Sequence, residues 1–543
     1  MAAYNKINGK KLTQNKKLLT DILRSPVAAG GMAFRGTVLS DWWAMPGDQG
    51  GNGVPPDIAA GFAKEAAEAG LDIEVPWDIN YSQLETIVMN GQLEQRYVDT
   101  AAERVLEQKF RFKTALASDN WGLKNPTRTQ LQGASLINNE PHLELAEEAA
   151  IKSAVLLRNG VEGTPVLPIT GMPSIVVAGL DLPISIQSTT NPISGPVLHM
   201  ATDVSLGDRG SSRVNADPEK SVGPLAGITQ IGGMHGVTTV TGANSVEAVT
   251  AANPDLIVAV VGLAPGDEGE EYAILAGGDR ATLNLPHGQN EFINGVLALM
   301  KPTVIIINSG SYVALPWLEH ENKNVATIWA GYSGQRGGLA YGKLLFGDAN
   351  FSGKMPMAWA REAELQRFTD EAGGTKTTMG YFFGYREFDR RVAAGEPVDL
   401  VFPFGHGLSY STFQYANLRV PCTTVTEKSI VDATIDITNM SGPKGAEVPM
   451  LFVKGPVAAP GTPGAARAVK ELKSFNRVEL EPGMGKRVPL PIRIQDLRHW
   501  EGGENGRWVI DKGEYTVLVG KNAADAEANA TAATPLVGKF TVE

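Results

Sequence analysis

Three uninterrupted apolar runs in the middle of the chain constrain its fold more than any other feature of the sequence. They are Ser174–Ala178, Leu256–Val261 and Thr303–Asn308, and helical patterns such as Gln289–Leu299 separate them. A strand that is apolar at consecutive positions has to be covered on both faces, as in a parallel sheet between layers of helices. The sequence therefore predicts an α/β layered sandwich domain, which we place at residues 141–360.

In the last part of the chain, apolar and polar residues alternate. Four such runs predict short strands: Ile430–Thr438, Val448–Val453, Arg487–Ile492 and Tyr515–Val519. Alternation with a period of two, frequent turns and few helical patterns are typical of a small antiparallel β-sandwich. We assign this domain to residues 401–543 and treat residues 361–400 as a connection.

The first part of the chain, residues 1–117, alternates helical patterns with short apolar runs that end in polar residues. The two clearest runs are Gly36–Trp42 and Gly70–Pro76. An Ala-rich helix is predicted between them over Asp57–Ala69, and a longer helix is predicted after them over Leu84–Phe112. This order of elements indicates repeated β–α units.

The junction between the first part and the layered domain is predicted from its polarity. Residues 118–140 contain Asn, Thr and Gln without a strong period, which is typical of a linker. The layered domain then opens with a helical run over Leu143–Leu157.

Composition and charge narrow the classes of ligand. The net charge is −11 and there is no long basic run, so nucleic acid and acidic membrane surfaces are unsuitable partners and a neutral ligand fits better. The only cysteine, Cys422, excludes an intrachain disulfide and a multi-cysteine metal site. No apolar stretch approaches the roughly 20 residues of a membrane helix.

Asp41 is the first candidate catalytic residue. It stands at the carboxyl end of an apolar run and is followed by Trp42 and Trp43, and barrel enzymes place catalytic groups at this end of their strands. A carboxylate stabilises a glycosidic carbon with oxocarbenium character, while indole faces cover the C–H face of a pyranose. An aspartate that only caps a helix has the same short pattern, so the local sequence leaves both interpretations open.

An acidic loop is the second candidate. Pro265–Tyr272 holds four carboxylates directly after the strand that ends at Val261, where open α/β sheets bind ligands. Crowded carboxylates raise one another's pKa, as a general acid requires, but acidic loops are more often solvated or bind calcium.

Other motifs point away from nucleotide and zinc chemistry. Gly207–Val214 lacks the Gly-Lys-Ser/Thr of a phosphate-binding loop, and Ser309 does not stand in a nucleophile elbow. The seven histidines show no His-Glu-x-x-His spacing, so we expect no metal site and interpret His199, His287 and His406 as structural.

Many segments, taken in order, resemble glycoside hydrolase family 3. They are Met1–Gly9, Leu18–Arg24, Val38–Trp42, Ala69–Pro76, Ala154–Asn159, Gly278–Arg280, Leu283–Pro286, Gly334–Gly338, Phe346–Asp348, Ser352–Pro356, Phe383–Asp389, Pro403–Tyr410 and Leu472–Val478. The last two resemble the entrance and interior of the C-terminal fibronectin type III-like domain that many members carry. The resemblance spans nearly the whole chain.

The resemblance implies roles for individual residues. Asp41 matches the residue that attacks the anomeric carbon, and Glu270 matches the acid/base in a Gly-Glu-Gly-Tyr type of loop. The match departs at Glu271, where Gly is usual, so Glu271 and Glu268 are alternative acid/base residues. Trp42 and Tyr4 are expected to contact the sugar.

In the family the second domain places its acid/base loop at the mouth of a (β/α)₈ barrel. Such a barrel needs about 250 residues and eight strands, whereas only three predicted strands, near Met1, Val38 and Ile73, precede the linker. We therefore expect an incomplete (β/α)₈ barrel portion that corresponds to the C-terminal part of the barrel. The missing part carries the Asp, Arg, Lys and His that hold the sugar in family members, and a truncated gene that begins at an internal Met is the simplest expectation.

The resemblance implies a retaining exo-β-glycosidase, first of all a β-glucosidase, with β-xylosides or β-glucans as alternative substrates. The alternative from another class is a catalytically incompetent fragment or sugar-binding scaffold that needs the missing N-terminal half. Two carboxylates suffice for the chemistry, so no cofactor is expected. The expected partners are a β-glucoside or oligosaccharide and a second chain or homodimer that completes the barrel. Members are often exported, which implies a periplasmic or extracellular location.

Overall fold

The structure is a computed structural model that describes residues 5–7, 9–47, 53–112, 139–161, 163–186, 193–205, 216–264, 267, 282–361, 364, 382–421, 423–456, 467–501 and 506–543. The chain divides into two compact units. The first contains Met1–Gly133 and Trp500–Trp508, and the second contains Ala134–His499 and Val509–Glu543. A short C-terminal segment therefore groups with the beginning of the chain.

Helices dominate the described part of the first unit. Its elements are β1 (Lys6–Ile7), β2 (Lys10–Lys11), α1 (Pro56–Ala69), α2 (Leu84–Met89) and α3 (Gln95–Arg111), with 3₁₀ turns at Leu12–Gln14, Val27–Ala29 and Tyr81–Gln83 and a π-helix at Lys17–Ile22. The predicted helix over Asp57–Ala69 is α1. It begins at Pro56, whose fixed φ suits the first helical position, and it is capped by Gly70 with φ of 99°.

The strands and the second helix of this unit differ from the prediction. Among the described residues, the segments near Val38 and Ile73 keep one parallel bridge, between Leu39 and Ile73, and β1 pairs with β2 in an antiparallel hairpin. The helix predicted over Leu84–Phe112 is interrupted, because Gly91 adopts a φ of 68° between α2 and α3. A glycine inside a helical pattern permits such a turn at little cost.

The second unit begins with the layered domain. Its elements are α4 (Glu140–Ser153), β3 (Val155–Asn159), β4 (Ile175–Ala178), β5 (Asp181–Ile186), β6 (Ile193–His199), α5 (Pro224–Met234), β7 (Val240–Ala243), α6 (Val246–Ala252), β8 (Leu256–Gly262), α7 (Gln289–Leu297), β9 (Thr303–Asn308), β10 (Val325–Trp329) and α8 (Gly337–Phe346), with 3₁₀ turns at Pro218–Lys220 and Pro316–Glu319. Six of these strands form one sheet in the order β3-β10-β9-β8-β4-β7.

The sheet confirms the prediction of a layered domain. The three apolar runs form β4, β8 and β9, which pair in parallel. Every residue of β8 and β9 is buried, and alternate side chains enter two separate hydrophobic clusters: Val258 and Val260 lie in one, Ile257 and Ala259 in the other. Helices therefore cover both faces, as continuous apolar strands require.

The predicted helical run over Leu143–Leu157 is wrong in its last part, where the chain forms a strand at one edge of the sheet. Helix α4 ends at Ser153, and Val155–Asn159 forms β3, which pairs antiparallel with β10. Periodicity does not separate a short buried strand from a helix end when the residues are continuously apolar.

The remaining elements form a connection and a β-sandwich. They are β11 (Trp359–Ala360), α9 (Tyr385–Ala393), β12 (Leu400–Phe402), β13 (Thr412–Arg419), β14 (Thr424–Val425), β15 (Ile430–Ser441), β16 (Gly445–Glu447), β17 (Met450–Lys454), β18 (Glu471–Phe475), β19 (Val478–Leu480), β20 (Gly485–Arg493), β21 (His499–Glu501), β22 (Arg507–Val509), β23 (Gly513–Gly520), α10 (Ala523–Ala530) and β24 (Val537–Val542), with a 3₁₀ turn at Ile494–Leu497.

The sandwich has a three-stranded sheet, β13-β15-β20, and a five-stranded sheet, β14-β24-β23-β17-β18. Inward side chains of both sheets meet in one cluster, which includes Ile435, Leu490 and Val517. The four predicted strands are present as β15, β17, β20 and β23. None of the helices formed by the described residues has both the length and the apolar composition needed to span a bilayer.

Candidate functional site

Asp41 lies at the carboxyl end of a segment that runs parallel to Asp72–Val75. The apolar run before Asp41 in the sequence predicted this position. The Ser40 N–H donates to the Ile73 carbonyl over 2.9 Å, and the Val75 N–H donates to Ser40 Oγ over 2.9 Å. The Trp43 N–H then donates to the Val75 carbonyl over 3.1 Å. Hydrogen bonds on both sides of Asp41 thus fix the backbone from which its carboxylate projects.

The residue Asp41 is half-buried. Its Oδ1 accepts a hydrogen bond from the Trp42 N–H over 2.8 Å, and the Asp41 carbonyl accepts one from the Ala44 N–H over 3.1 Å. A carboxylate oxygen held by a backbone N–H has a defined orientation. The carboxylate is therefore held in one orientation and remains accessible to a ligand.

Three indoles surround this turn. The rings of Trp42 and Trp43 are 5.6 Å apart at 86°, and those of Trp43 and Trp77 are 5.8 Å apart at 59°. Trp42 is 56% exposed and Trp77 is 57% exposed. Trp43 has a φ of 54°, a left-handed conformation that costs a bulky residue energy and therefore needs support from its surroundings. A carboxylate beside exposed indole faces is suited to a sugar.

A buried ion cluster supports the segment that precedes Asp41. The Asp72 side chain is 0% exposed and accepts from Arg24 over 2.6 Å and from Arg104 over 2.8 Å. It also accepts from the Val38 N–H over 2.8 Å. Burial lowers the pKa of Arg24, and the charge of Asp72 acts in the opposite direction. No local pattern in the sequence singles out this cluster, because its three members are far apart along the chain.

A second buried carboxylate organises the turn after the parallel segment. Glu74 accepts from the Asn80 N–H, from Asn80 Nδ2 over 2.8 Å and from the Tyr81 N–H over 2.6 Å. Tyr81 donates its hydroxyl to the Leu71 carbonyl over 2.8 Å, and burial, followed by the nearby charge of Asp72, raises its pKa well above its usual range. The turn that carries Trp77 is therefore fixed from its buried side.

Four of the predicted site residues, Tyr4, Glu268, Glu270 and Glu271, lie outside the described residues. Strand β8 ends at Gly262, shortly before Pro265, where the predicted acidic loop begins in the sequence.

The described residue Asp267 marks the beginning of this acidic loop. Asp267 Oδ2 accepts from the Ala264 N–H over 2.8 Å, and its Oδ1 lies 2.9 Å from His287 Nε2. The Gln289 side chain binds the end of β8. Its Oε1 accepts from the Gly262 N–H, and its Nε2 donates to the Gly262 carbonyl.

One cluster in the described part of the chain brings His499, Glu501 and Asp511 within 4.8 Å of one another. It does not resemble a vacant cation site, because the Arg467 guanidinium contacts His499 and binds both oxygens of Asp511 over 2.7 and 3.2 Å. The hydrogen bond from Arg467 lowers the pKa of Asp511, and the positive charge of Arg467 acts in the same direction. Arginine already supplies the charge that a metal ion would bring.

Two cavities lie away from Asp41. A cavity of about 820 Å³ in the second unit is lined by Arg158, Arg361 and Phe402 among others. A cavity of about 380 Å³ in the first unit is almost entirely apolar and lies between α1 and α3, with Leu84 and Val105 in its wall. Asp41 lines neither cavity.

Three family models match the chain in order. The glycosyl hydrolase family 3 N-terminal domain matches residues 1–108, the glycosyl hydrolase family 3 C-terminal domain matches residues 154–410, and a fibronectin type III-like domain matches residues 447–523. The chain belongs to glycosyl hydrolase family 3, which confirms the resemblance found in the sequence.

The chain is also similar to characterised proteins. Thermostable β-glucosidase B of Acetivibrio thermocellus is 27% identical over 97% of this chain and 62% of the relative. An exo-α-(1→6)-L-arabinopyranosidase of Bifidobacterium breve is 28% identical over 99% of this chain and 64% of the relative. The chain thus spans less than two thirds of either relative.

Among solved structures, a β-glucosidase of Listeria innocua in complex with isofagomine superposes with a TM-score of 0.72 and 25% identity. The superposition covers 99% of this chain and 68% of that chain. The similarity therefore extends over the layered domain and the β-sandwich as well as the first unit.

Proposed function

We propose that this chain carries the nucleophile and the acid/base of a retaining exo-β-glycosidase, a β-glucosidase that hydrolyses terminal non-reducing β-D-glucosyl residues. The position of Asp41 carries the proposal. In a chain of family 3, a half-buried carboxylate stands at the end of a parallel segment, held by a backbone N–H and flanked by the exposed indole of Trp42.

The proposed mechanism uses two carboxylates. Asp41 attacks the anomeric carbon and forms a covalent glycosyl-enzyme, while Glu270 protonates the leaving oxygen and then removes a proton from the attacking water. Glu271 and Glu268 are the alternative acid/base residues. A retaining mechanism requires the two carboxyl groups about 5 Å apart. Trp42 and Tyr4 contact the sugar in this proposal.

The choice of sugar rests on the relatives. They include a β-glucosidase and an α-L-arabinopyranosidase, and the Listeria β-glucosidase binds isofagomine. Glucose is the proposed unit, and β-xylosides and β-glucans are the alternatives. Rates on a panel of 4-nitrophenyl glycosides, compared as kcat/KM, decide among them, because specificity is a ratio of these constants.

A second candidate function is sugar binding without turnover, by a scaffold that needs further barrel strands from another polypeptide. Two observations on the described residues favour it. No residue of α3 is buried, and the apolar side chains Leu106, Phe110 and Phe112 are 49%, 57% and 68% exposed. A second chain or a second copy that completes the barrel would cover such a face.

The first test is hydrolysis of 4-nitrophenyl β-glucoside by the purified chain, by Asp41→Asn and by Asp99→Asn. Asp99 is a matched control, because it lies in the same unit and its contact with Gln95 tolerates an amide. We expect turnover by wild type and Asp99→Asn, and a loss of roughly 10³-fold or more in Asp41→Asn. Full activity of Asp41→Asn would contradict the assignment, and inactivity of all three would support the second candidate.

The acid/base is tested with Glu268→Gln, Glu270→Gln and Glu271→Gln. A good leaving group needs little protonation, so the variant that lacks the acid should lose much less rate on 2,4-dinitrophenyl β-glucoside than on methyl β-glucoside. We expect this pattern from Glu270→Gln. The same pattern from either neighbour instead would move the role to that residue.

A further inference from the structure

Two exposed tryptophans stand side by side on a hairpin near the end of the chain. The hairpin consists of β21 and β22, and it presents Trp500 and Trp508 with ring centroids 5.5 Å apart at 79°. Trp500 is 37% exposed and Trp508 is 53% exposed. Tryptophan is highly buried on average, so a pair of accessible indoles is a candidate binding surface.

The two tryptophans belong to the same compact unit as Asp41. Residues Trp500–Trp508 group with residues 1–133, in the unit that carries Asp41, although their neighbours on both sides belong to the second unit. That unit therefore presents Trp42, which is next to Asp41, Trp77, whose ring packs on Trp43, and two further indoles from the C-terminal hairpin. All four are more than a third exposed.

The chain on either side of the pair is held firmly. His499 is buried at 7% exposure, and Arg467 binds it together with both carboxylate oxygens of Asp511. Tyr515 donates its hydroxyl to the Asp511 carbonyl over 2.8 Å. An ordered binding surface loses little conformational entropy when a ligand binds, which favours affinity.

We infer that Trp500 and Trp508 form an accessory carbohydrate-binding platform for pyranose units of a β-linked gluco-oligosaccharide. An indole offers a large apolar face to the axial C–H groups of such a ring, and the indole N–H reaches a hydroxyl. A neutral ligand also suits a chain with a net charge of −11. The inference rests on the proposed function for the identity of the sugar.

The platform and the proposed nucleophile Asp41 belong to one compact unit. Longer chains of a β-glucan would gain affinity from it, whereas a monosaccharide derivative would not occupy it. The expected preference is therefore for oligosaccharides over aryl glucosides. Binding of a second copy of this chain to the same indoles is the competing explanation.

The test is affinity electrophoresis of the full chain in native gels that contain barley β-glucan or laminarin, with pullulan as the α-linked control. The variants are Trp500→Ala/Trp508→Ala, Trp508→Phe and Phe475→Ala. Phe475, at the end of β18, is a matched control because it is an exposed aromatic residue at 65% on a strand of the β-sandwich. Far-UV circular dichroism and thermal unfolding verify the fold of each variant.

We expect retardation of the wild type by β-linked glucans only, and dissociation constants at least about 10-fold higher in the double variant, which corresponds to about 1.4 kcal/mol. Trp508→Phe, which keeps a ring, should recover most of the binding, and Phe475→Ala should bind as the wild type does. Equal retardation of wild type and double variant would overturn the inference. So would the absence of any retardation of the wild type, or loss of a dimer in the double variant without a change in glucan binding.

Turnover of 4-nitrophenyl β-glucoside by the wild type tests the proposed function separately. Retardation without turnover would contradict the proposed hydrolase activity and support the platform. Turnover without retardation would support the hydrolase activity and contradict the platform.

Discussion

Replacing Asp72 with Asn should destabilise the unit that carries Asp41 by about 3 kcal/mol, the lower end of the cost of breaking a buried ion pair. The Asp72 side chain is fully buried and its partner Arg24 is only 7% exposed. Asparagine keeps an oxygen that accepts from the Val38 N–H. In the wild type this N–H donates to a charged carboxylate oxygen over 2.8 Å. It removes the charge that offsets the burial of Arg24.

The magnitude depends on what remains around Arg24. Its guanidinium also donates to the Gly36 carbonyl over 3.0 Å and the Gly70 carbonyl over 3.2 Å, and these bonds hold part of the cluster together. Arg104, 25% exposed, reaches solvent more easily. Arg104→Met should therefore cost less, roughly 1 to 2 kcal/mol.

Urea unfolding followed by tryptophan fluorescence measures these effects, because Trp42, Trp43 and Trp77 all lie in this unit. With an m-value of about 2 kcal/mol per molar urea, a loss of about 3 kcal/mol lowers the midpoint of its transition by about 1.5 M. Asp99→Asn serves as the exposed control and should leave the midpoint unchanged. A midpoint for Asp72→Asn within about 0.3 M of the wild type would show that the charge of Asp72 does not provide this stability.

Two further predictions concern the second unit. Met300 has a φ of 56° and is 58% exposed, so Met300→Gly should relieve a left-handed conformation and stabilise the unit by about 1 kcal/mol in calorimetry; a lower melting temperature would count against this. Arg467 holds the pKa of Asp511 below its ordinary value of 3.8, so this pair stabilises the fold above that pH and loses its effect as the pH falls through the folded pKa. The stability advantage of wild type over Arg467→Gln should therefore be present at about pH 6 and decline as the pH falls below the ordinary pKa of 3.8, and a pH-independent difference would exclude this linkage.

Much of the fold was predictable because it is encoded by local patterns. Helix α1 was expected over Asp57–Ala69 and is observed over Pro56–Ala69. The continuous apolar runs of β8 and β9 needed two covering layers, and the structure provides them. The position of Asp41 at the end of an apolar segment was likewise visible from its neighbours in sequence.

Features that depend on distant residues were not predictable. Asp72 stands near the start of the predicted run Gly70–Pro76, and only the structure shows that its side chain is buried against Arg24 and Arg104. The grouping of Trp500–Trp508 with the beginning of the chain is also a long-range property. Where the local prediction itself was wrong, as in β3, a continuous apolar run fitted a helix and a strand equally well.

The most direct test of the central claim is to trap the proposed intermediate. The chain is incubated with a 2-deoxy-2-fluoro-β-glucoside that carries a good leaving group, and the digested protein is analysed by mass spectrometry. A fluoroglucosyl adduct on the peptide that contains Asp41, absent from Asp41→Asn and present in Asp99→Asn, is the predicted result. An adduct on another carboxylate, or none in a folded and glucoside-binding chain, would contradict the account.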